Sequence, residues 1–444
     1  MIKWFRFTLK FQLLGHEDTK KIMIKIKSQP IKPRCEVAVP GSKSYTHRIL
    51  IASALSDGVC RIENALISED TQLTTEALRQ MGIQIEAASH NQVLVYGGSG
   101  RLQPIRQRIY LGNSGTSMRL LTAVAALGPR TVTLYGSARM GQRPIQDLID
   151  ALRDIGVRVD STNRNGCPPI KIHGGILSGG AVSINCRASS QYLSALLLIA
   201  PYVANGLDIT VTEGPVSRPY VDMTVDVMAK FGVEVLREGY RRFQVVGQQT
   251  YRAGAHVVEP DGSQAGYFWA AAAICQTEIK VKEVTKISHQ GDVRFAELLE
   301  SMGCKMTAEP DGLAICGGDL RAGEFDMGDM PDMVPTLAVV AAFAMGTTVI
   351  KNVSHLKSKE SDRLAAVVCE LGKMGVDARC SDDELIVTGG APHGAEIETY
   401  GDHRIAMSFA VAGLGAGGTI IRDERCVEKS FPNFWRVFEG LYGT

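Results

Sequence analysis

The chain has 444 residues, with 48 basic and 47 acidic side chains and a formal net charge of only +1. This length is too great for one ordinary hydrophobic core and predicts two domains. The balanced charge argues against a nucleic-acid or membrane-surface footprint, so we expect any anion-binding site to be local. No uninterrupted apolar run is long enough to span a bilayer.

The N-terminal 22 residues show apolar side chains at alternate positions, from Phe5 to Leu13. A period of two is typical of a half-buried strand. Two readings stay open: an extra edge strand, or a segment upstream of a natural start at Met23, which we favour. We therefore treat residues 1–21 as an extension of uncertain status.

The ten cysteines are scattered and include no C-x-x-C pair, and no histidine stands where it would complete a zinc set. This pattern predicts buried free thiols in a reducing compartment, such as the cytoplasm, and no metal site.

One structural unit recurs along the chain, in which an amphipathic helix ends at a glycine and a strand follows at once. The five glycines occur at nearly even intervals and are Gly82, Gly156, Gly232, Gly303 and Gly375. Such a period indicates a repeated supersecondary unit, with each glycine as a left-handed residue that ends its helix. In the third copy, the strand is predicted at residues 233–235.

A sixth helix, predicted at residues 434–442, lacks a following strand, and residues 22–26 have the pattern of one. We therefore expect the N-terminal strand to close the last domain, so that the chain crosses between domains near Pro40 and again near Glu259. The predicted domains are 41–258, and 22–40 together with 259–444, each an α/β domain of three repeats. A ligand cleft is expected between them.

The sequence PGSKSYTHR at residues 40–48 follows a β-like run and leads into an apolar helix. Free backbone N–H groups and the positive end of the helix would favour an anion there, with Lys43 and Arg48 adding charge. The stretch is not a Walker A loop. Taken alone, such a stretch is more often a turn with an N-cap than a phosphate-binding loop.

Further stretches combine cationic side chains with a predicted helix start, and each alone could be an N-cap or a solvated charge. Those in the first half are 111–119, 139–145 with a helix from Pro144, 189–191, and 217–220. Those in the second half are 330–333 with a helix to Phe343, 357–363, 400–404, and 428–432. Together they predict a cleft that closes on a ligand with more than one phosphate or carboxylate.

The motifs PGSKSxxxR, GNSGTSMR, RPI, SSQ, SxPY, PD, KESDR, DHR and EKSFP occur along the chain in that order. In these motifs the chain resembles the 5-enolpyruvylshikimate-3-phosphate synthase (3-phosphoshikimate 1-carboxyvinyltransferase) family over roughly residues 22–440. The resemblance implies two inverse α/β domains, each of three βαβαββ units. It also implies a cytoplasmic monomer that uses no metal or organic cofactor and binds neither nucleic acid nor membrane.

The implied reaction belongs to the shikimate pathway of aromatic amino acid biosynthesis. It transfers the enolpyruvyl group of phosphoenolpyruvate to the 5-hydroxyl of 3-phosphoshikimate and releases phosphate, by addition and elimination through a tetrahedral intermediate. The implied contacts to 3-phosphoshikimate are Lys43, Ser44, Arg48, Ser189, Ser190, Ser217, Tyr220, Asp332, His355 and Lys359. Those to phosphoenolpyruvate are Lys43, Asn113, Gly115, Arg143, Gln191, Arg363, Arg404 and Lys429.

The resemblance makes Asp332 the proton acceptor, and Glu360 and Lys43 candidates for delivering the proton to phosphoenolpyruvate. Nearby arginines would lower the pKa of Lys43, and the choice between it and Glu360 stays open. His355 departs from the asparagine of many members, and Leu120 from a common proline. Because Gly115 is not alanine, we expect room for the family's inhibitor glyphosate.

Two alternatives are weaker. The enolpyruvyl transferase that acts on UDP-N-acetylglucosamine shares the fold, but it has asparagine where Ser44 stands and usually a cysteine in the loop near 137–143. A six-repeat scaffold without catalysis would not need Asp332 and Glu360 beside so many arginines.

Overall fold

The computed structural model describes residues 23–89 and 91–443. The expectations for residues 1–21 fall outside this range. Within it, the chain forms 23 strands and 12 α-helices, and none of these helices is long and apolar enough to cross a membrane.

The strands are short and are numbered here in chain order. They are β1 (Met23–Lys25), β2 (Arg34–Val37), β3 (Val59–Glu63), β4 (Gln84–Ser89), β5 (Gln92–Tyr96), β6 (Arg108–Tyr110), β7 (Thr131–Tyr135), β8 (Arg158–Ser161), β9 (Ile170–His173), β10 (Gly180–Asn185), β11 (Leu207–Glu213), β12 (Leu236–Glu238), β13 (Arg242–Val245), β14 (Ala255–Val257), β15 (Glu278–Lys282), β16 (Lys305–Glu309), β17 (Gly312–Cys316), β18 (Glu324–Asp326), β19 (Thr347–Lys351), β20 (Asp377–Cys380), β21 (Glu384–Thr388), β22 (Glu396–Ile397) and β23 (Ile420–Arg422).

The helices follow the strands in a regular order. They are α1 (Lys43–Leu55), α2 (Glu69–Gln80), α3 (Gly115–Ala125), α4 (Gln146–Asp154), α5 (Gln191–Ile199), α6 (Pro219–Lys230), α7 (Gly262–Cys275), α8 (Phe295–Ser301), α9 (Val334–Ala342), α10 (Arg363–Lys373), α11 (His403–Ala416) and α12 (Phe434–Glu439).

Five four-stranded sheets share one topology, in which the first pair of strands is parallel and the other two pairs are antiparallel. In three of these sheets a single α-helix lies between the two parallel strands: α3 between β6 and β7, α5 between β10 and β11, and α9 between β18 and β19. The parallel pairs β14-β3 and β2-β15 instead bring together segments that are far apart in the chain. The strand orders are β14-β3-β5-β4, β6-β7-β9-β8, β10-β11-β13-β12, β2-β15-β17-β16 and β18-β19-β21-β20. The repeated topology confirms the predicted α/β fold.

The sixth sheet has three strands, in the order β22-β23-β1. Strand β22 is parallel to β23, and β1 is antiparallel to it, with Ile24 opposite Ile421. This pairing agrees with the expectation that the N-terminal strand closes the last unit. The described part of the strand ends at Lys25, one residue before the predicted end, and Ile26 donates its backbone N–H to the Thr419 carbonyl.

The repeat glycines have the backbone conformation that the sequence predicts. Gly82, Gly156, Gly232, Gly303 and Gly375 all have φ between 79° and 115°, a region that favours glycine. In four units, a strand begins two residues later. The prediction for the third unit is wrong, because residues 233–235 stay irregular and β12 begins only at Leu236.

The chain crosses between two hydrophobic cores at two adjacent points. One core comprises buried residues between Tyr45 and Val258, and the other comprises Ile26 to Val39 with Ala265 to Tyr442. At the crossing, Ser42 donates its backbone N–H to the Glu259 carbonyl, and Asp261 donates to that of Pro40. On this basis we propose the two domains as 41–258, and 22–40 with 259–444, here called the first and second halves.

Three predicted helix bounds are wrong. Helix α4 begins at Gln146, because a 3-10 turn and an extended Arg143 precede Pro144. A 3-10 turn at Pro331–Met333 precedes α9, which ends at Ala342, and α12 ends at Glu439. All ten cysteines are free, but Cys369 and Cys380 are exposed, so the prediction of uniformly buried thiols is also wrong.

Candidate active site

The start of helix α1 is held by side chains from both halves. Ser42 caps the helix by accepting the N–H of Tyr45, and Asp261 accepts the N–H of Lys43 at 2.8 Å. Asp261 also caps α7 through the N–H of Gln264. One carboxylate therefore ties together the first turns of two helices that lie on opposite sides of the crossing.

A polar cleft opens beside this turn, between the two halves. Its walls combine serines, arginines and carboxylates from seven helix starts and loops. The lining residues are Lys43, Ser44, Thr116, Arg119, Arg143, Ser189, Ser190, Gln191, Val216, Ser217, Tyr220, Asp332, Lys359, Glu360 and Arg363. Twelve of these were singled out from the sequence, which means that residues far apart in the chain converge on one site.

Asp332 lies between two buried arginines of the second half. Its carboxylate accepts from Arg363 Nη1 at 2.7 Å and from Arg404 Nη2 at 2.9 Å. Burial alone would raise its pKa, but Arg404 and Arg363 outweigh burial and hold the pKa well below its ordinary value. Asp332 is therefore an ionised hydrogen-bond acceptor that faces the cleft.

Glu360 is the second buried carboxylate of the cleft. It accepts from Arg363 Nη2 at 3.0 Å, and its other oxygen lies 3.8 Å from Arg143 Nη1. Burial opposes ionisation here too, but Arg143 and Arg363 hold the pKa of Glu360 well below its ordinary value. Arg143 reaches this carboxylate from the first half, so the pair joins the two walls of the cleft.

The turn before helix α3 positions Arg143. Its Nη1 donates to the Asn113 carbonyl at 3.0 Å, and the guanidinium stacks closely over Gly115. A Cβ atom at Gly115 would lie 2.5 Å from Arg143 Nη2, so any side chain there would force the guanidinium to move. Gln191 begins helix α5, where its side chain donates a hydrogen bond to Thr116 and accepts one from Arg119.

Asp70 is a buried carboxylate that the sequence did not reveal. It accepts from Lys429 Nζ at 2.6 Å and from Lys43 Nζ at 3.3 Å. Burial would raise its pKa, but the two lysines lower it. Lys429 also donates to the Asn113 carbonyl, which brings this predicted residue to the edge of the same site. The only local signal at Asp70 is its place in the first turn of α2, where acidic residues are common.

The remaining wall carries hydroxyl groups and one lysine. Ser44, Ser189, Ser190, Ser217 and Tyr220 come from the starts of three helices of the first half, and Lys359 comes from the second half. Burial lowers the pKa of Lys359 to about 8, although Asp332 partly offsets this effect. The wall can donate several hydrogen bonds to an anion.

Six residues of the predicted site do not line the cleft, and two of these are Arg48 and His355. Arg48 is buried behind it, where its guanidinium donates to Thr224 Oγ1 and to the carbonyls of Ser44 and Tyr220. His355 lines a neighbouring cavity with Ser217, and burial lowers its pKa to about 3. Arg48 supports the cleft wall from behind, and neutral His355 lies at the cleft's outer side.

Gly115, Asn113, Arg404 and Lys429 also stand just behind the lining, each in contact with a residue that lines the cleft or with Asp70. Besides Asp70, two further neighbours were not predicted as site residues, although they lie in the motifs DHR and GNSGTSMR. Asp402 caps α11 and accepts from Arg363 Nε at 2.8 Å, and Arg119 bonds Gln191. Among residues 23–89 and 91–443, no group of histidine, cysteine, aspartate or glutamate is arranged to hold a metal ion.

Comparison with known proteins places this geometry in a family. The model of the EPSP synthase (3-phosphoshikimate 1-carboxyvinyltransferase) family matches residues 28–438. The chain belongs to the EPSP synthase family. This result confirms the resemblance that the motifs indicate. The matched range, residues 28–438, includes every residue that lines the cleft.

Relatives and solved structures agree with that membership. The chain is 44% identical to the 3-phosphoshikimate 1-carboxyvinyltransferase of Syntrophobacter fumaroxidans over 92% of this chain and 97% of the relative. It is 40% identical to that of Shewanella baltica over 95% of this chain and the whole relative. A solved EPSP synthase from Acinetobacter baumannii superposes with a TM-score of 0.80 at 29% identity, covering 95% of this chain and 98% of the other.

Proposed function

We infer that this chain is an enzyme that transfers the enolpyruvyl group of phosphoenolpyruvate to the 5-hydroxyl of 3-phosphoshikimate, with release of phosphate. The observation that carries this function is the family match over residues 28–438. The relatives named above are 3-phosphoshikimate 1-carboxyvinyltransferases. The cleft supplies what the reaction needs, which is cationic groups for two anionic substrates and carboxylates for proton transfer.

We propose that the hydroxyl wall binds 3-phosphoshikimate. Ser189, Ser190 and Lys359 would hold its phosphate, with Ser217 and Tyr220 beside them. Ser44 and Lys43 would contact the sugar ring at the start of α1. Arg48 and His355, which lie behind and beside this wall, would act by supporting it rather than by direct contact.

Phosphoenolpyruvate would lie against the arginine side of the cleft. Arg143 and Arg363 are the lining arginines, and Arg404 stands behind Asp332. Gly115, Asn113, Gln191 and Lys429 would shape that side. A planar guanidinium can bind a phosphate or carboxylate through two parallel hydrogen bonds, which suits a substrate that carries both groups.

The proposed reaction proceeds by addition and then elimination. Phosphoenolpyruvate takes a proton at its methylene carbon, and the 5-hydroxyl oxygen bonds to the adjacent carbon while Asp332 takes the hydroxyl proton. This step gives a tetrahedral intermediate. The new methyl group then returns a proton to the residue that supplied it, and the carbon–oxygen bond to phosphate breaks with its electron pair on the phosphate. The departing phosphate takes up the proton held by Asp332, which returns that carboxylate to its ionised form.

Asp332 suits the role of base because two arginines keep it ionised. Glu360 and Lys43 both stay candidates for the methyl proton. Glu360 lies nearer the arginine side, whereas Lys43 lies at the start of α1 with Asp70 as its partner. The alternative acceptor, UDP-N-acetylglucosamine, is not favoured by the names of the relatives.

The deciding experiment measures phosphate release from phosphoenolpyruvate in the presence of each acceptor. We expect turnover with 3-phosphoshikimate and none with UDP-N-acetylglucosamine. The reverse result would overturn the assignment. The monomeric state and the cytoplasmic location stay predictions, which light scattering and cell fractionation test.

A further inference from the structure

Arg139 joins the two halves of the molecule at a point outside the cleft lining. It precedes the 3-10 turn Met140–Gln142 of the first half. Its guanidinium donates to the carbonyl of Lys357 at 3.1 Å and to that of Lys359 at 3.2 Å and 3.0 Å. Both carbonyls belong to the second half, 218 and 220 residues further along the chain.

The segment that receives these bonds carries two proposed site residues. It follows the 3-10 helix Ser354–Ser358 and contains Lys359 and Glu360 before α10 begins at Arg363. The backbone hydrogen bond within the segment at Lys359 is long, because the Lys359 N–H donates to the Leu356 carbonyl at 3.4 Å. External hydrogen bonds to carbonyls 357 and 359 therefore fix the segment.

The loop that carries Arg139 also carries Arg143, and Arg143 approaches Glu360 from the first half at 3.8 Å. Arg139 thus sets the distance between two backbone segments whose side chains face each other across the cleft. The planar guanidinium reaches the two carbonyls from two separate nitrogen atoms in a fixed fork, whereas a lysine ammonium would have to donate to both from a single nitrogen atom.

We propose that Arg139 is a positioning residue that fixes the 357–360 segment against the Arg143 loop and so completes the active site between the two halves. This inference rests on the proposed function for its kinetic consequence. Its structural consequence, an ordered 357–360 segment, does not depend on the substrate.

Other residues that connect the two halves are less suitable for testing such a positioning role. Ser217 donates its N–H to the Gly328 carbonyl, and Lys429 binds Asp70, but both residues belong to the proposed substrate site. Arg139 does not line the cleft. Its removal therefore changes the placement of Lys359 and Glu360 without removing a substrate contact.

The kinetic test compares Arg139→Ala and Arg139→Lys with two controls. Arg130→Ala removes an arginine that bonds one carbonyl within the first half, and Gln142→Ala removes the remaining partner of Arg139 on its own turn. We expect Arg139→Ala to lower kcat by about tenfold or more, which corresponds to the loss of one or two hydrogen bonds from a charged donor. Arg139→Lys should recover part of this loss, and the controls should stay within about twofold.

The structural test measures amide hydrogen exchange without substrate. In Arg139→Ala, the peptide covering residues 354–361 should exchange faster, while peptides from the cores of both halves keep the wild-type rate. Unchanged exchange in that peptide overturns the proposal, even if kcat falls. Equal acceleration in all peptides also overturns it, because Arg139 would then serve general stability. Absent turnover by the wild-type enzyme would contradict the proposed function alone, since the exchange comparison stands without it.

Discussion

Asp70 Oδ1 lies 2.6 Å from Lys429 Nζ, although 359 residues separate the two in the chain. Asp70 belongs to the first half and Lys429 to the second, and Lys43 shares the same carboxylate. Two buried ammonium groups therefore depend on one buried carboxylate in the described structure. Anionic substrates would bring further negative charge to the same place.

The first prediction concerns this pair. Asp70→Asn leaves Lys43 and Lys429 without their charged partner, so we expect the free energy of unfolding to fall by about 3 kcal/mol. Added phosphoenolpyruvate should restore more stability to this variant than to the wild type. Thermal unfolding with and without the substrate checks both effects. Asp150→Asn, which loses an exposed pair with Arg153 but keeps an oxygen that can accept from Gln146, serves as control and should change stability little.

Asp332→Asn tests the proposed base. The amide keeps the size of the side chain but cannot take the hydroxyl proton, so we expect kcat to fall by about 10²- to 10⁴-fold. The KM values should change less, because asparagine can still accept from Arg363 or Arg404. Steady-state kinetics measures the change, with Asp377→Asn on an exposed strand as control. A rate near that of the wild type would remove Asp332 as the base.

Gly115→Ala tests the close contact with Arg143. The added Cβ would lie 2.5 Å from Arg143 Nη2, so the guanidinium must move. We expect the KM for phosphoenolpyruvate to rise by about tenfold to a hundredfold while that for 3-phosphoshikimate changes little. Glyphosate inhibition should weaken as well, and an unchanged inhibition constant would contradict the placement of Gly115. Gly372→Ala is the matched control, because its Cβ would meet nothing within 4 Å.

The pH dependence of the reaction should show the titration of Lys359. Burial lowers its pKa to about 8, and only the ammonium form attracts a phosphate. The value of kcat/KM for 3-phosphoshikimate should therefore fall as the pH rises through about 8. Lys359→Arg should move this fall to higher pH, because a guanidinium stays charged. Lys357→Arg, at an exposed lysine paired with Asp382, should leave the profile unchanged.

Local signals made much of this molecule predictable from its sequence. The prediction of the five repeat glycines required only a helical period that ends at a residue favouring positive φ. The structure confirms this backbone conformation at all five. Ser42 and Ser114, which lie in the stretches 40–48 and 111–119, cap helices α1 and α3, as expected for serine just before a helix. The strand of the third unit was misplaced because residues 233–235 have a strand-like pattern but no pairing partner in the described structure.

Other features depend on contacts that no local pattern records. Asp70 matters because α2 brings it between Lys43 and Lys429, and nothing in its own neighbourhood in the sequence indicates two lysines. Arg48 matches a motif for substrate contact, yet its donors are already occupied by Thr224 and two carbonyls. Side-chain direction is fixed by packing, so a motif can locate a residue near a site without determining what it touches.

The paired crossing between the halves has a mechanical consequence. Strands β2 and β14 leave the crossing into different sheets, and a bridge between Gly41 and Pro260 holds the two connecting segments side by side. Two linked segments resist twisting about their length more than a single one does. If residues 41–258 form a domain inserted at this point, we therefore expect any relative movement of the halves to be a bend about this line, next to Lys43 and the cleft.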